Sequence, residues 1–544
     1  MYARIKKIIA VFLCLVLAAG FTGSAAEGVS GERLMERMGE SLLSVLTKIF
    51  EPTGDKVTAG DWMELKLAAM KGSTEVVITA DITFSDNQGT IVFERPVSIV
   101  SAEGTHFTID GNGKQIFCVQ GKDAAEPLAG VTYVVNLSFQ NGDATQHFAD
   151  AYGTGSGGAL FVMGDLRAIG CTFTGNRANY GAAVCADGSL ALDNCVVQDN
   201  VSTGAGAAYA LNGDVAVLGG TISGNTAEQY GGGLYAHGGN IAIAGAAVTD
   251  NAAQFGGGIY AQYGSVTVSG DADISHNTAA VSGGAIYAES GGVAMTSGAV
   301  SGNTAQYGAV YLGSGEGSFS GITTFTDNGA EFGGAIYAQT ANVTISGDVS
   351  LQGNKANVSG GGVYAHEGAV GILGGTLTQN SAMYGGCVYA DSGNIMMSGG
   401  RAIDNTADFG AVLYLTGGDV SITGGIMKGN TANTSGGAAY AHEGAVMIAG
   451  GNIKKNQAVY GGGVLAATGA ITMTAGVVFG NTAQSGGGIY TVDGDVTVSG
   501  GRVNSNIATV SGGGVYTETG TVTDVLGAVF GNTPDDIVQP QPQP

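Results

Sequence analysis

The sequence predicts an all-β fold, a parallel β-helix in which one coil of about 25 residues is wound repeatedly. Three observations carry this. First, an asparagine recurs at positions 176, 200, 225, 251, 277, 303, 328, 354, 380, 405, 430, 456, 481, 506 and 532. The fourteen gaps are each 24 to 26 residues, a mean of about 25.4, and a period in this range marks a solenoid. Second, the residue three positions before each asparagine is apolar, as in Ile274, Val300 and Phe325. Third, short runs between these landmarks alternate, as in Val266-Thr-Val268-Ser and Val496-Thr-Val498-Ser. Alternation over four or five residues is a strand signal, not a helix signal.

A lone 25-residue turn cannot bury its own apolar side chains. Stacked about 4.8 Å from an identical turn, each strand gains a parallel partner and like side chains align in columns. Asn176, Asn200, Asn225, Asn251, Asn277, Asn303, Asn328, Asn354, Asn380, Asn405, Asn430, Asn456, Asn481, Asn506 and Asn532 are therefore expected to form a hydrogen-bonded ladder. Each is also expected to take the left-handed backbone conformation of its turn. The Gly/Ala-rich segments supply positive φ angles at the next corner. Eight to ten residues after most of these asparagines stands a tyrosine, with Cys185 and Leu465 as exceptions. This column reads first as packing; as a binding wall it would present Tyr235, Tyr260, Tyr287, Tyr337, Tyr364 and Tyr389.

A second period overlies the first. NTAAVSGGAIYAE at 277 recurs in related form at 354, 430 and 506, steps of 77, 76 and 76 residues. A three-coil block copied in tandem suits a device whose length matters, and suits a single tuned catalytic centre poorly.

The boundaries follow. Residues 1–26 read as a secretory signal, with Arg4, Lys6 and Lys7 before an apolar centre and Ser24-Ala25-Ala26 at its end. Residues 27–56 hold an amphipathic helix, Glu32–Phe50, and a linker. Residues 57–72 are a capping helix with Asp61 as N-cap and Trp62, Leu65 and Ala69 toward the coils, because an open coil would expose core and strand edges. The β-helix is expected over 73–533, about four irregular early coils preceding fifteen regular ones. Residues 534–544, with Pro534, paired aspartates and QPQPQP, form the tail.

Composition narrows the function. Glycine numbers 98 of 544 residues without a three-residue period, and 44 acidic against 20 basic residues give a net charge of −24. That balance disfavours nucleic acid, which needs a basic surface. No later stretch reaches the run of roughly 18 apolar residues that spans a membrane. No Cys/His spacing suggests a metal, and neither a metal nor another cofactor is expected. Cys171 and Cys195 should be neighbours in adjacent coils. In-register Cβ atoms stand slightly too far apart for a relaxed disulfide, so the pair reads as small buried apolar residues, with a disulfide the alternative.

The motifs GGAI at 283–286 and 333–336, with FTGN at 173–176 and FTDN at 325–328, resemble the GGA[ILV] and FxxN repeats of the chlamydial polymorphic outer-membrane proteins. The likeness covers about residues 75–533 and does not extend to a C-terminal translocating barrel. It implies a right-handed parallel β-helix and a surface-exposed adhesin. The resulting expectation is a secreted or cell-surface monomer that binds a glycan or protein partner along its walls.

Two alternatives remain open. β-Helices also carry polysaccharide lyases and glycoside hydrolases, which need clustered acids, bases or cations. Here the basic residues beyond position 150 are few and mostly on separate coils. The best low-ranking candidate is the inserted loop 141–158, with Asp143, His147, Asp150 and Tyr152. His366 and His442 read as duplicated surface turns. The other alternative is a passive spacer.

Overall fold

The computed structural model describes residues 56–120, 128–145 and 155–541. All of these belong to one compact unit, Lys56–Pro544. The expected signal segment and the Glu32–Phe50 helix lie outside the described residues. What is described is a right-handed parallel β-solenoid of about 18 turns, and one coil explains the rest. Ile286–Ala288 forms a short strand on a tyrosine wall, and Val293–Ser301 runs along a broad wall. The chain then turns at Asn303 onto a short corner wall, which carries strands such as Thr278–Ser282. Every strand pairs in parallel with its counterpart one coil away. Ile286, Tyr287 and Ala288 face Val310, Tyr311 and Leu312 in register. The tyrosine wall stacks strands in chain order from Ile91–Phe93 to Ile537–Val538.

Alternation decides which side chains fill the interior. Val266, Val268, Ile274, Ile259 and Ala261 are all at most 1% exposed, while Thr267 and Ser269 between them face outward. Each buried Val or Ile contributes roughly 1.5–3 kcal/mol through its removal from water. The early, irregular coils use larger side chains. Phe93, Phe117, Phe139 and Phe173 pack ring against ring at 5.1–5.9 Å along the axis. At the glycine corner the backbone itself sets the residue. Gly283 has φ +67°, and a Cβ on Gly284 would lie 2.5 Å from the Thr304 carbonyl oxygen of the next coil.

The ladder forms with every amide group used. Nδ2 of each ladder asparagine donates to Oδ1 of the next, giving fourteen links of 2.9–3.1 Å from Asn176 to Asn532. Asn277 is typical. Its backbone N–H also donates to Asn303 Oδ1, at 2.9 Å, and its second Nδ2 hydrogen reaches the Val248 carbonyl at 2.8 Å. Both donors and both lone pairs of a fully buried amide are thus satisfied by neighbouring coils.

The backbone of the turn corrects one expectation. The left-handed residue is not the asparagine but the one before it, at all fifteen turns, with φ between +53° and +70°. Seven of these are glycine; the others include Asp250, His276, Gln379, Lys455 and Ser505. The reason is geometric. The asparagine must aim inward to reach the neighbouring rungs, so the preceding residue makes the bend and points its side chain to solvent.

The ends differ from the expected boundaries. Lys56–Ala59 is already a strand, paired in register with Glu75–Ile78, and the helix Trp62–Lys71 (α1) is inserted within this first coil. Asp61 caps α1 by accepting from Glu64 N–H at 2.8 Å. Leu65, Ala68 and Ala69 are buried, and Trp62 packs edge-on to Phe84 while its Nε1 donates to the Gly89 carbonyl. At the other end pairing continues past 533. Ile537–Val538 adds a last strand to Val515–Tyr516. Asp536, expected to blunt an edge, closes the ladder instead: its Oδ1 accepts both the N–H and the Nδ2 of Asn532. A carboxylate suffices there because its oxygen accepts both donors of Asn532 that earlier rungs pass to the next asparagine.

Two outcomes follow. Asn328→Ala strips the acceptor from two Asn303 donors and a donor from the Val300 carbonyl. It is expected to destabilise the coil by about 3–5 kcal/mol, read as faster amide hydrogen exchange in the flanking coils. Lys455→Gly relieves an exposed left-handed residue without touching the ladder and is expected to raise stability by about 1 kcal/mol in guanidinium unfolding.

Candidate functional site

Because the ladder asparagines are buried, they build the fold and are closed to a ligand. The candidate surfaces are the tyrosine wall and the inserted loop. On the wall, parallel pairing repeats one side chain at each coil, so like residues must meet. Ten rings from Tyr209 to Tyr440 form one unbroken stack with centroids 4.5–5.3 Å apart and planes within 25°. Tyr235, Tyr260 and Tyr287 are consecutive in it, as are Tyr337, Tyr364 and Tyr389, and Tyr311 joins the two sets. Leu465 interrupts the column, which resumes at Tyr490 and Tyr516.

The stacking determines what solvent can touch. Each ring face is covered by the next ring, leaving edges and hydroxyls outward. Several hydroxyls are held by the residue two positions on, or by its counterpart in the next coil. Tyr260 donates to Glu289 at 2.7 Å, Tyr235 to Gln262 at 2.6 Å, Tyr337 to Gln339 at 2.9 Å, and Tyr490 to Glu518. Burial raises the phenol pKa at every ring from Tyr235 to Tyr440. At Tyr260 the acceptor carboxylate of Glu289 adds to burial.

A second aromatic row went unassigned in the sequence. Tyr307, Phe332, Tyr384 and Phe409, which precede the glycine runs, turn their rings edge-on to Tyr337, Tyr364, Tyr414 and Tyr440 at 5.2–5.9 Å. Every third coil places serine there instead, at Ser282, Ser359 and Ser435. The signal was present as the tyrosine that recurs before the glycine run on a three-coil beat.

The loop candidates separate. Asp143 accepts from the backbone N–H and hydroxyl of Thr145, at 2.8 and 2.6 Å, so its oxygen closes a local turn. His147, Asp150 and Tyr152 lie outside the described residues. His366 Nδ1 sits 3.0 Å from Asp391 Oδ2 in the next coil, and His442 lies beside Tyr440. Cys171 and Cys195 are unbonded, buried thiols, with burial pushing the Cys171 pKa up. Among the described residues, no group of three or more His, Cys, Asp or Glu could hold a metal ion, and no helix is long and apolar enough to cross a membrane.

With this geometry in view, the sequence comparison is specific. Residues 271–289 and 322–339 match the Chlamydia polymorphic membrane protein repeat. Each matched stretch runs from a broad-wall strand through a ladder asparagine, Asn277 or Asn328, to a stacked tyrosine, Tyr287 or Tyr337. The polymorphic membrane protein repeat is therefore one structural passage of this solenoid, from broad wall to tyrosine wall. No curated protein and no solved structure matches the chain.

The wall sets an alkaline limit. Phenols held above their ordinary value of 10.0 stay protonated in the fold while the unfolded chain ionises, so stability is complete below pH 10 and falls as pH rises beyond it. The phenolate absorbance at 295 nm contributed by the stacked rings, over and above that of exposed tyrosines such as Tyr263, is expected to appear together with loss of β-sheet circular dichroism, not before it.

Proposed function

We propose that the protein is a secreted or surface-exposed adhesin-like rod that binds glycan or protein partners along its solenoid walls. The observation that carries this reading is repetition. A ligand-sized patch of wall recurs every three coils, so a polymeric or clustered partner meets several equivalent patches at once. Weak contacts then sum through effective concentration. The match to the polymorphic membrane protein repeat and the acidic, soluble surface support the same reading. Catalysis is not part of it. Asp143 and Glu289 are held in a local turn and a hydroxyl contact, and a wall that repeats suits distributed binding better than one tuned catalytic centre.

The test is removal of one block, Lys355–Asn430, which excises three coils and rejoins equivalent positions. Folding is expected to persist, and adhesion to a glycan- or cell-coated surface to drop in proportion to the coils removed. Complete loss of binding with an intact circular dichroism spectrum would overturn the distributed-wall reading. Reducing-sugar release from a polysaccharide panel would overturn the non-catalytic one.

A further inference from the structure

The three-coil period has a geometric consequence on the corner wall. The coils at Val201–Ala205, Thr278–Ser282, Lys355–Ser359, Thr431–Ser435 and Ile507–Ser511 carry one residue more there than the coils that precede them, and pairing slips by one at each. Such a bulge bends its strand outward. Between successive bulged coils lie two shorter ones, so the wall alternates a ridge with a depression every three coils, about 14 Å at ~4.8 Å per coil.

The depression between the ridges at Thr278–Ser282 and Lys355–Ser359 is an open notch of about 460 Å³. Ala305, Gly329 and Ala330 form its floor, and Gln306, Glu331, Lys355 and Asn357 its sides. The small floor lets a ligand approach the backbone closely. Across it, Gln306 Nε2 donates to Glu331 Oε2 at 3.1 Å. The next depression repeats the acid and one amide a block later, with Met383 where Gln306 stood. Asp408 stands where Glu331 stood and Asn433 where Asn357 stood, with Asn433 Nδ2 donating to Asp408 Oδ1 at 2.8 Å. In the depression beyond Thr431–Ser435, Val459, Gln484 and Thr509 take the corresponding positions, none of them a carboxylate.

We infer that these two notches, at Glu331/Asn357 and at Asp408/Asn433, are paired subsites for one neutral, hydroxyl-rich glycan chain lying along the corner wall. A carboxylate oxygen accepts from one sugar hydroxyl while an adjacent amide N–H donates to the next, which complements a vicinal diol. Each carboxylate has lone pairs beyond the one its amide uses, and each amide a second hydrogen. The net charge of −24 selects against uronates and sulfated chains. The inference rests on the wall-binding reading above and assigns it a wall and a ligand class.

The probes are short and long cello-oligosaccharides, whose glucose units each keep a 2,3-diol, titrated into the full chain by calorimetry, with uronate oligosaccharides as comparators. The long chain is expected to bind at least tenfold tighter than the short one, because only it reaches both notches. Glu331→Ala and Asp408→Ala should each weaken the long chain about tenfold, as loss of a hydrogen bond to a charged group implies. The double variant should reduce it to the short chain's affinity or below. Thr497→Ala, on the broad wall, should change nothing. Equal affinity for both lengths, insensitivity to both substitutions, or absence of neutral-glycan binding would each overturn the inference. If cell adhesion survived in the double variant, the adhesin reading would stand while this assignment fell.

Discussion

Everything in the molecule depends on one buried amide per coil that cannot satisfy itself. Asn303 is fully buried, and its hydrogen bonds go to Asn328, the Ile274 carbonyl and the donors of Asn277. An unpaired buried amide would cost several times the net value of one hydrogen bond. A slip of one residue between coils would break a rung and would also turn every apolar side chain of the broad wall outward. Hydrophobic burial supplies most of the stability and opposes a slip of one residue, but a slip of two would keep the apolar side chains inward. The ladder opposes that slip as well, and this is why fifteen coils of differing sequence keep like residues in line.

That alignment has a price on the surface. Once register is exact from coil to coil, a tyrosine repeated at one position must stack on itself. The stack from Tyr209 to Tyr440 gains ring–ring contact worth about 0.5–1.5 kcal/mol per pair. It loses free aromatic faces, the feature that makes tyrosine useful against a sugar ring. The tyrosine wall, which the sequence suggests first as packing, is therefore a stacked seam with a polar fringe of Glu289, Gln339 and Asp391.

The architecture was legible because its signals repeat. The asparagine period, the apolar residue three before it and the tyrosine column each recur in many copies, and the ladder, the core and the ring stack appear where they point. What occurs once was harder to read. Asp536 looks like an edge charge until the last rung is seen to lack an acceptor. The strand Lys56–Ala59 is short and precedes a helix, so its pairing with Glu75–Ile78 is a contact that local pattern cannot reveal. The left-handed position eluded composition for a different reason: glycine occupies it in only seven of fifteen coils, and solvent tolerates His276 or Lys455 there. The corner-wall notches required pairing register, since an extra residue such as Val281 is visible as an insertion only against the coil beside it.

The same register explains why the chain grew by three coils and not by one. Tyr307 and Phe332 lay their edges on Tyr337 and Tyr364, whereas Ser282 and Ser359 occupy the bulged coils where the slipped backbone changes the position of that side chain. The carbonyl of Val281 accepts both the Gln306 and the Tyr307 N–H groups, so a bulged coil must be followed by one built to meet it. Copying the bulged coil alone would place a bulge against a bulge, whereas each bulged coil here is flanked by shorter ones that carry Phe255 and Tyr307, or Phe332 and Tyr384, beside it. Copying three preserves each junction, the ladder and the spacing of the notches together. A rod lengthened in this way adds one complete ridge and depression at each step, which ties the physical unit of folding to the unit by which a wall-binding surface is extended.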